Sequence, residues 1–308
     1  MRDYILSIPE QLRTGIAFGS AHALPTPSGR IISCGMGGSS VAGELLSMVR
    51  EHVLVHWDYD LPVGTTNQDL IICTSWSGNT EETISSYKTA RALGASTLVI
   101  TSGGSLAKLA TDDNSPRIVL PAANAIPRVN VALMTSALFG SLSMAHHIPM
   151  SFDAASLEAQ GASLAGIIGD RLLSLYASYP WRKLTGIWKM VYSETAKRQV
   201  MVNWFPSGAH NEVVGWEGSY QSSTAIVLFR DKNEPAHYAK NFDALLAILG
   251  EKGYTVTTVA LSGDSLIEKA LTSYTLSLWT SYAVAASLGI DSQTTELLDA
   301  FKRLKATS

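Results

Sequence analysis

The sequence predicts an α/β protein made of two similar domains, each a mainly parallel β-sheet flanked by helices. Short apolar runs alternate with segments of helical periodicity along the chain, and this alternation is typical of β-α-β units, whose strands are parallel. The same alternation begins again in the second half, although the amino-acid sequence itself is not repeated. A length of 308 residues also suits two domains of ordinary size. We therefore expect one domain over residues 1–150 and a second over residues 151–308.

The first half begins with a predicted amphipathic helix over residues 4–20, because Ile5, Ile8, Leu12 and Ile16 recur near helical spacing. Apolar runs then predict strands at residues 30–34, 52–57, 70–74, 96–101 and 117–120. Helices are predicted at residues 41–50, in a stretch that ends near residue 93, and at residues 131–147. This order predicts a parallel sheet with helices on both faces.

The second half begins with residues 151–180, which we expect to hold one or two helices and the link between the halves. After this segment, apolar runs predict strands at residues 184–190, 223–229 and 255–260. Helices are predicted at residues 194–203, 236–249, 265–288 and 294–304. The second half therefore predicts another α/β layer of the same kind.

Charge, hydrophobicity and cysteine content limit the classes of protein to which this sequence can belong. A net charge of −3, without a Lys/Arg cluster interleaved with aromatics, argues against a nucleic-acid partner. The sequence contains no uninterrupted stretch of about 18 apolar residues, so it predicts no membrane span. The N-terminal stretch does not match a signal peptide. Cys34 and Cys73 each end an apolar run. We expect buried, reduced thiols in a cytoplasmic protein.

Two predicted strand-to-helix junctions are rich in glycine and hydroxyl side chains, GMGGSS at residues 35–40 and TSWSGNT at residues 74–80. Ligands of parallel sheets bind beyond the carboxyl ends of the strands, and helix N-termini attract anions. Glycine lets the backbone approach a ligand closely, and hydroxyl groups donate hydrogen bonds to phosphate oxygens. The loops therefore predict a phosphomonoester site formed by Gly37, Gly38, Ser39, Ser75, Ser77 and Thr80.

Each loop also has another interpretation. Asn79 and Glu82 are spaced as a capping box, so part of the polarity of the second loop can serve helix capping alone. The first loop nearly matches the dinucleotide-binding pattern G-x-G-x-x-G, with Asp58 at the end of the next strand. Ser40 stands in place of the third glycine, however, and a dinucleotide site leaves the hydroxyls of the second loop unused. These two facts favour the phosphate site.

The pair of loops resembles the sugar isomerase domain, or SIS domain, family. The resemblance rests on the blocks GMGGSSVAGELL and TSWSGNTEET. In this family the Ser/Thr loop holds the phosphate of a phosphosugar. The tandem arrangement covers nearly the whole chain and resembles two SIS domains. The resemblance therefore implies two three-layer SIS domains and a phosphosugar substrate.

A loop of the second half, WFPSGAHNEVVGWE at residues 204–217, carries His210, Asn211 and Glu212. From the residues alone, Asn211 and Glu212 can equally cap a short helix. The block HNEVVGWE is similar to the one that carries the catalytic glutamate in the bifunctional phosphoglucose/phosphomannose isomerases, a tandem-SIS family of archaea and some bacteria. The resemblance implies that Glu212 is the base that moves a proton between C1 and C2 of the sugar.

The resemblance extends to an arginine and a histidine. Pro127-Arg128 is similar to a Pro-Arg pair whose arginine lies by the active site, where Arg128 would stabilise the enediolate. His237 stands where the family has a histidine that opens the sugar ring and is contributed across the dimer interface, and His210 is the alternative. Without the resemblance, Arg128 can equally be a solvated residue at a helix start.

The C-terminal segment DSQTTELLDAFKRLKATS places Thr295 and Lys302 seven residues apart, on one face of a helix. The C-terminal helix of the family brings a threonine and a lysine into the site. Lys302 would then assist ring opening or hold the sugar, and Thr295 would leave room at C2 for either epimer. A solvated basic helix end is the alternative for Lys302, since a cation there is favoured by the helix dipole.

We expect neither a metal nor a cofactor. The pair His146-His147 has no cysteine or carboxylate at ligand spacing, and adjacent residues of a helix point in different directions. An enediol mechanism without metal fits this pattern.

Together these features predict an aldose–ketose isomerase that interconverts glucose 6-phosphate, and mannose 6-phosphate, with fructose 6-phosphate. The resemblance also implies a homodimer with shared active sites. Three alternatives remain. A SIS sensor would bind a phosphosugar without a working base, and an oxidoreductase would use a nicotinamide at the first loop. An amino-sugar phosphate deglycase or deaminase would use the same glutamate.

Overall fold

The computed structural model describes residues 1–24, 29–122 and 126–306. The chain forms two compact units. The N-terminal unit comprises Tyr4–Ala155 and Ser262–Ser273, and the C-terminal unit comprises Met1–Asp3, Ser156–Leu261 and Tyr274–Ser308. Each unit holds one parallel sheet flanked by helices, which confirms the predicted fold class.

The first half of the chain supplies five parallel strands. They are β1 (Ile31–Cys34), β2 (Val53–His56), β3 (Leu70–Ser75), β4 (Ser96–Thr101) and β5 (Arg117–Val119). The helices of this half are α1 (Arg2–Leu6), α2 (Ile8–Ser20), α3 (Val41–Val49), α4 (Glu81–Leu93), α5 (Gly104–Asp112) and α6 (Val131–Ser141). The sheet order is β2-β1-β3-β4-β5. The predicted strands of this half are confirmed, and α5 is a helix that the sequence reading missed.

Strand β3 lies in the middle of the N-terminal sheet, and all of its residues are buried. Helices α4 and α5 cover one face of this sheet, where Tyr87, Ala90 and Leu106 pack with Ile71 and Cys73. Because the strands are parallel, the carboxyl ends of β1, β3 and β4 lie along one edge, with the N-termini of α3, α4 and α5 after them.

The predicted buried thiols are confirmed. Cys34 and Cys73 are buried and free, and they are register partners on adjacent strands. Among the described residues, no helix combines the length and the hydropathy needed to cross a bilayer.

The second half supplies a sheet of four parallel strands. They are β6 (Leu172–Ser178), β7 (Val200–Phe205), β8 (Thr224–Arg230) and β9 (Thr255–Ala260). The helices are α7 (Glu158–Ile168), α8 (Arg182–Ala196), α9 (Glu212–Gly215), α10 (Ala236–Glu251), α11 (Leu266–Ser287) and α12 (Glu296–Ala306). The sheet order is β7-β6-β8-β9.

Two sequence predictions at the start of the second half are wrong, and a third is incomplete. Residues 184–190, predicted as a strand, belong to α8, whose buried Leu184, Ile187, Trp188 and Val191 recur at helical spacing. Residues 194–203, predicted as a helix, contain the end of α8 and the start of β7. The segment 151–180, expected to hold one or two helices and the link between the halves, contains the helix α7 and also β6, which was not predicted. A continuous apolar run such as LLSLYAS fits a buried strand and a buried helix equally well.

Candidate active site

The glycine-rich turn at residues 35–40 follows β1 at the carboxyl edge of the N-terminal sheet. Its residues Gly37–Ser39 form one turn of 3-10 helix, and Gly37 has a positive φ of 52°. Ser39 is buried, and its Oγ accepts a hydrogen bond of 3.0 Å from the backbone N–H of Trp76. Since Trp76 directly follows β3, this bond ties the turn after β1 to the loop after β3.

The loop after β3, which we call the hydroxyl loop (residues 74–80), folds around Ser75. The Ser75 and Thr80 hydroxyl oxygens lie 2.9 Å apart in a hydrogen bond, and Ser75 Oγ accepts the Gly78 N–H at 3.1 Å. Ser77 is exposed, and its Oγ accepts the backbone N–H of Asn79 at 3.2 Å. The structure therefore brings three of the predicted phosphate residues into one loop at the N-terminus of α4.

The predicted capping box of Asn79 and Glu82 is wrong. Thr80 is the N-cap residue of α4, and its side chain makes no capping hydrogen bond. The Asn79 side chain bonds instead to Ser105 in the first turn of α5. The polarity of the hydroxyl loop therefore does not serve the cap of its own helix.

Arg128 lies in a 3-10 turn, Pro127–Val129, that packs on the glycine-rich turn. A Cβ atom placed on Gly38 would stand 3.1 Å from the Arg128 backbone nitrogen, so a glycine suits this close approach. Arg128 is 1% exposed and makes hydrogen bonds or electrostatic contacts. The alternative of a solvated arginine at a helix start is therefore wrong.

Glu212 begins the short helix α9 in the C-terminal unit. Tyr176, in β6, donates its hydroxyl hydrogen to Glu212 Oε1 at 2.5 Å, and Asn203, in β7, donates its side-chain amide to Glu212 Oε2. Trp216 donates its indole N–H to the Tyr176 hydroxyl at 3.1 Å. Both carboxylate oxygens are thus held by donors on adjacent strands, which fixes the plane of the carboxylate.

Tyr176 is a buried member of the aromatic core of the C-terminal unit, with Phe205 and Trp216 in edge-on contact. Burial, and then the neighbouring Glu212 carboxylate, raise the pKa of Tyr176 well above its ordinary value. The phenol therefore stays protonated and remains a hydrogen-bond donor to Glu212. A carboxylate with such a fixed donor is a group that can exchange a proton with a bound ligand.

Tyr176 and Asn203 were not predicted as site residues, because the strands that carry them were misassigned. Tyr176 lies in β6, which was read as part of a helical segment, and Asn203 lies in β7, which was read as the end of a helix. The alternation in VMVNWF, with β-branched residues at 200 and 202, is a signal that could have identified β7.

The remaining predicted residues lie at the surface of the C-terminal unit. His237, the second residue of α10, is exposed, as are His210 and Lys302. Thr295 stands just before α12 and donates its hydroxyl to Asp299 at 3.3 Å. Within the described ranges, the side-chain hydrogen bonds of Glu212 go to Tyr176 and Asn203 and to none of these four residues.

In the part of the chain that the structure describes, no group of three or more His, Cys, Asp or Glu side chains is arranged to hold a metal ion.

Comparisons with known proteins converge on one family. Residues 157–304 match the family described as the bacterial phospho-glucose isomerase C-terminal SIS domain. The chain is 27% identical over 285 residues to the bifunctional phosphoglucose/phosphomannose isomerase of Thermoplasma volcanium, covering 89% of this chain and 90% of the relative. It is 27% identical over 281 residues to the enzyme of the same name from Aquifex aeolicus, covering 86% and 87%.

The fold comparison agrees. The crystal structure of tagatose-6-phosphate ketose/aldose isomerase from Escherichia coli superposes with a TM-score of 0.65 at 15% identity, covering 95% of this chain and 94% of that one. At this identity the likeness concerns the fold. The domain match and the relatives agree: the C-terminal half of the chain matches a SIS domain model, and the chain is similar over most of its length to bifunctional phosphoglucose/phosphomannose isomerases.

Proposed function

We propose that this protein is an aldose–ketose isomerase that interconverts glucose 6-phosphate, and mannose 6-phosphate, with fructose 6-phosphate through an enediol. The observation that carries the proposal is the Glu212 carboxylate, whose two oxygens are held by Tyr176 and Asn203. A base for C–H proton transfer needs a fixed orientation, since the reacting atoms must meet within hydrogen-bond reach. The similarity to enzymes of this name over most of the chain supports the same reaction.

In the proposed reaction, Glu212 removes the C2 proton of the open-chain aldose and returns it to C1. The electron pair of the broken C2–H bond forms the C1–C2 double bond of the enediol, and the carbonyl oxygen at C1 takes a proton. Collapse of the enediol then forms the C2 carbonyl as C1 receives the proton from Glu212, and the hydroxyl at C2 releases a proton that balances the one gained by the oxygen at C1. No atom or electron is lost, so an aldose becomes its ketose isomer.

The other predicted residues have roles that follow from this chemistry. Gly37, Gly38, Ser39, Ser75, Ser77 and Thr80 bind the phosphate. The guanidinium of Arg128 stabilises the negative charge of the enediolate. His237 and Lys302 open the sugar ring, and Thr295 accommodates both epimers at C2. The hydrogen bonds of the hydroxyl loop support the phosphate role, because they gather Ser75 and Thr80 at the start of α4.

The proposal includes a homodimer in which His237 of one protomer serves the site of its partner. Helix α12 supports an association of this kind, because three apolar residues on one of its faces are exposed. Leu297 is 86% exposed, Phe301 64% and Leu304 70%, and a contiguous apolar patch of this kind marks an interaction surface. Sedimentation equilibrium at micromolar concentration tests it, and a monomer with full activity contradicts it.

We further assign the enzyme to the cytoplasm, where buried thiols such as Cys34 and Cys73 remain reduced.

The decisive experiment is an assay of the purified protein with fructose 6-phosphate in the presence of EDTA, with glucose 6-phosphate and mannose 6-phosphate measured separately. Because the proposal assigns proton transfer to side chains, EDTA leaves the rate unchanged. Turnover in D₂O incorporates deuterium at the carbon that receives the proton, as an enediol requires. Glu212→Gln lowers kcat by about 10³-fold, within the range of general base catalysis.

A matched control is Glu217→Gln, which removes an exposed carboxylate five positions along the same segment. It leaves kcat near the wild-type value. Equal loss in both variants contradicts the role of Glu212. Wild-type protein that binds fructose 6-phosphate without turnover contradicts the isomerase and favours a phosphosugar sensor. Turnover only of amino-sugar phosphates favours a deglycase or deaminase.

A further inference from the structure

The loop after β4 has no role in the proposed reaction, yet it is built tightly against the hydroxyl loop. We call it the support loop (residues 101–105), with the sequence TSGGS. A Cβ atom on Gly78 would overlap the carbonyl oxygen of Gly103, and a Cβ on Gly104 would overlap that of Ser77. Gly78 and Gly104 also have positive φ angles of 67° and 70°. The two backbones therefore interlock at glycines for which no other residue fits.

Hydrogen bonds join the same two loops along their length. The Asn79 side-chain oxygen accepts from both the backbone N–H and the hydroxyl of Ser105, each at 3.0 Å. The Gly78 carbonyl oxygen accepts the N–H of Leu106 at 2.8 Å. The Trp76 carbonyl oxygen accepts the backbone N–H of Ser102 at 3.1 Å and its hydroxyl at 2.6 Å.

The direction of these bonds is the same throughout. The hydroxyl loop supplies the acceptors, and the support loop and the first turn of α5 supply the donors. The first N–H groups of a helix have no partner within the helix, and here Ser105 and Leu106 in α5 direct theirs to the hydroxyl loop. These oxygens of the hydroxyl loop would repel an anion if they were directed at it. Because donors of the support loop and of α5 engage them, they are not free to do so.

We propose that Asn79 and Ser105 form a clamp that holds the hydroxyl loop in its anion-binding conformation, so that both are positioning residues for phosphate. The clamp orders the loop before the ligand arrives, and a preorganised loop binds more tightly because less conformational entropy is lost on binding. The phosphate group is unchanged between substrate, enediol and product. A clamp acting on it alters binding and leaves the chemical step alone.

This inference rests on the proposed function, which supplies the identity of the ligand. It adds two residues that position the phosphate-binding loop. The test measures the dissociation constant of inorganic phosphate by isothermal titration calorimetry, beside kcat and KM for fructose 6-phosphate. Asn79→Ala raises the phosphate Kd and the KM about 10-fold, while kcat stays within about two-fold. Ser105→Ala, which keeps the backbone N–H donor, raises both by about three-fold. Asn67→Ala, an exposed asparagine of the same unit, changes neither.

A double-mutant cycle separates a clamp from two independent effects. If Asn79 and Ser105 act through each other, Ser105→Ala has little further effect on phosphate Kd in the Asn79→Ala background. Fully additive losses overturn the clamp. An Asn79→Ala protein with wild-type phosphate Kd also overturns it, as does a loss confined to kcat. Ser105→Ala keeps the result readable if Asn79→Ala does not fold.

The phosphate titration distinguishes this inference from the proposed function. Wild-type protein that binds phosphate but does not turn over fructose 6-phosphate refutes the isomerase, and weaker binding by Asn79→Ala then still supports the clamp. Active wild-type protein with an unaffected Asn79→Ala variant refutes the clamp alone. Wild-type protein that binds no phosphate refutes the clamp, and it refutes the isomerase as well if it does not turn over fructose 6-phosphate.

Discussion

The two units of this protein use the same parallel sheet but build their functional loops from different materials. In the N-terminal unit, the loops after β1, β3 and β4 are rich in glycines and short hydroxyl side chains, and backbone groups take part in most of their hydrogen bonds. In the C-terminal unit, Glu212 is held by the side chains of Tyr176 and Asn203, with Trp216 behind the tyrosine.

The difference follows from what each region is proposed to do. A phosphate anion keeps its shape through the reaction, so a rigid backbone frame suits it. A general base changes its charge in each cycle, and the groups around it must tolerate both states. A tyrosine hydroxyl can both donate and accept hydrogen bonds, so it can stay bonded to the carboxyl group in either charge state. Each region can be broken by a substitution that leaves the other intact.

Gly78→Ala is expected to have the largest effect, because it breaks the backbone frame of the N-terminal unit. The added Cβ overlaps the Gly103 carbonyl oxygen, and alanine is strained at a φ of 67°. Left-handed strain and overpacking together cost about 3 kcal/mol or more. We expect a matching loss in the free energy of unfolding by urea denaturation, and loss of measurable phosphate binding by calorimetry.

Gly94→Ala is the matched control for that substitution. Gly94 follows α4, has a similar φ of 74°, and has no neighbour within 4 Å of an added Cβ. It carries the strain without the overlap and costs about 1 kcal/mol, with phosphate binding retained. Equal effects of the two variants would show that the contact with Gly103 does not matter.

A second comparison concerns the edge of each sheet where the strands begin, opposite the carboxyl ends that carry the functional loops. There an Arg–Asp pair joins the starts of two adjacent strands. Arg30 and Asp69 precede β1 and β3, and the Asp69 side chain is 4% exposed. The Arg30 guanidinium holds the pKa of Asp69 down to about 2. From an unfolded value near 3.9 this corresponds to about 2.6 kcal/mol, and solvent around the half-exposed Arg30 reduces it to about 2 kcal/mol.

The sign of the pH dependence follows from the lowered pKa of Asp69. A carboxyl that is more acidic in the folded state stabilises it above the unfolded pKa, near 4, and the stabilisation disappears as the pH falls through about 2. Asp69→Asn therefore costs about 2 kcal/mol at pH 7 and almost nothing near pH 2. Urea denaturation across this range measures it. A constant difference between variant and wild type at every pH would contradict the assignment.

Tyr176→Phe is expected to break the side-chain network around Glu212 while leaving the N-terminal unit intact. Loss of the donor to Glu212 Oε1 frees the carboxylate to rotate. We expect kcat for fructose 6-phosphate to fall about 10-fold, equivalent to about 1.4 kcal/mol, with an unchanged phosphate Kd. Steady-state kinetics and calorimetry measure the two quantities.

Tyr254→Phe is the control for this network. Tyr254 is also buried, packs edge-on against Trp216 and donates its hydroxyl to the Gly218 carbonyl oxygen at 2.6 Å. It does not bond to Glu212, so its removal lowers stability by about 1 kcal/mol without the 10-fold loss in kcat. If both phenylalanine variants lose the same activity, the tyrosine acts through the core and not through Glu212.

Much of the N-terminal unit could be predicted because its signals are local. The strands end at glycine- and serine-rich loops, and the blocks around Ser39 and Ser75 have a distinctive spacing. What could not be predicted there is the partner of Asn79. Its spacing from Glu82 fits a capping box, but Ser105 lies 26 residues away and competes for the same oxygen. Local spacing does not reveal a contact that only the sheet order creates.

The C-terminal unit was harder for the same physical reason. Glu212 was identified through its sequence block, whereas Tyr176 and Asn203 lie 36 and 9 residues from it. Strand β6 is a short, apolar and buried run, and such a run carries no periodicity that separates strand from helix. The residues that hold the carboxylate depend on the register of β6 and β7, which pairs Tyr176 with Asn203.

The smallest effect is expected at the Arg–Asp pair of the C-terminal unit. Asp170 and Arg198 precede β6 and β7 much as Asp69 and Arg30 precede their strands, but Asp170 is 65% exposed and Arg198 37%. Exposed pairs gain little because water screens both charges. Asp170→Asn should therefore change the free energy of unfolding at pH 7 by less than about 0.5 kcal/mol, against the larger loss in Asp69→Asn measured by the same urea titration. If the two substitutions cost the same, burial of the carboxylate is not what distinguishes the two sheets, and the stabilisation must come from joining the strands alone.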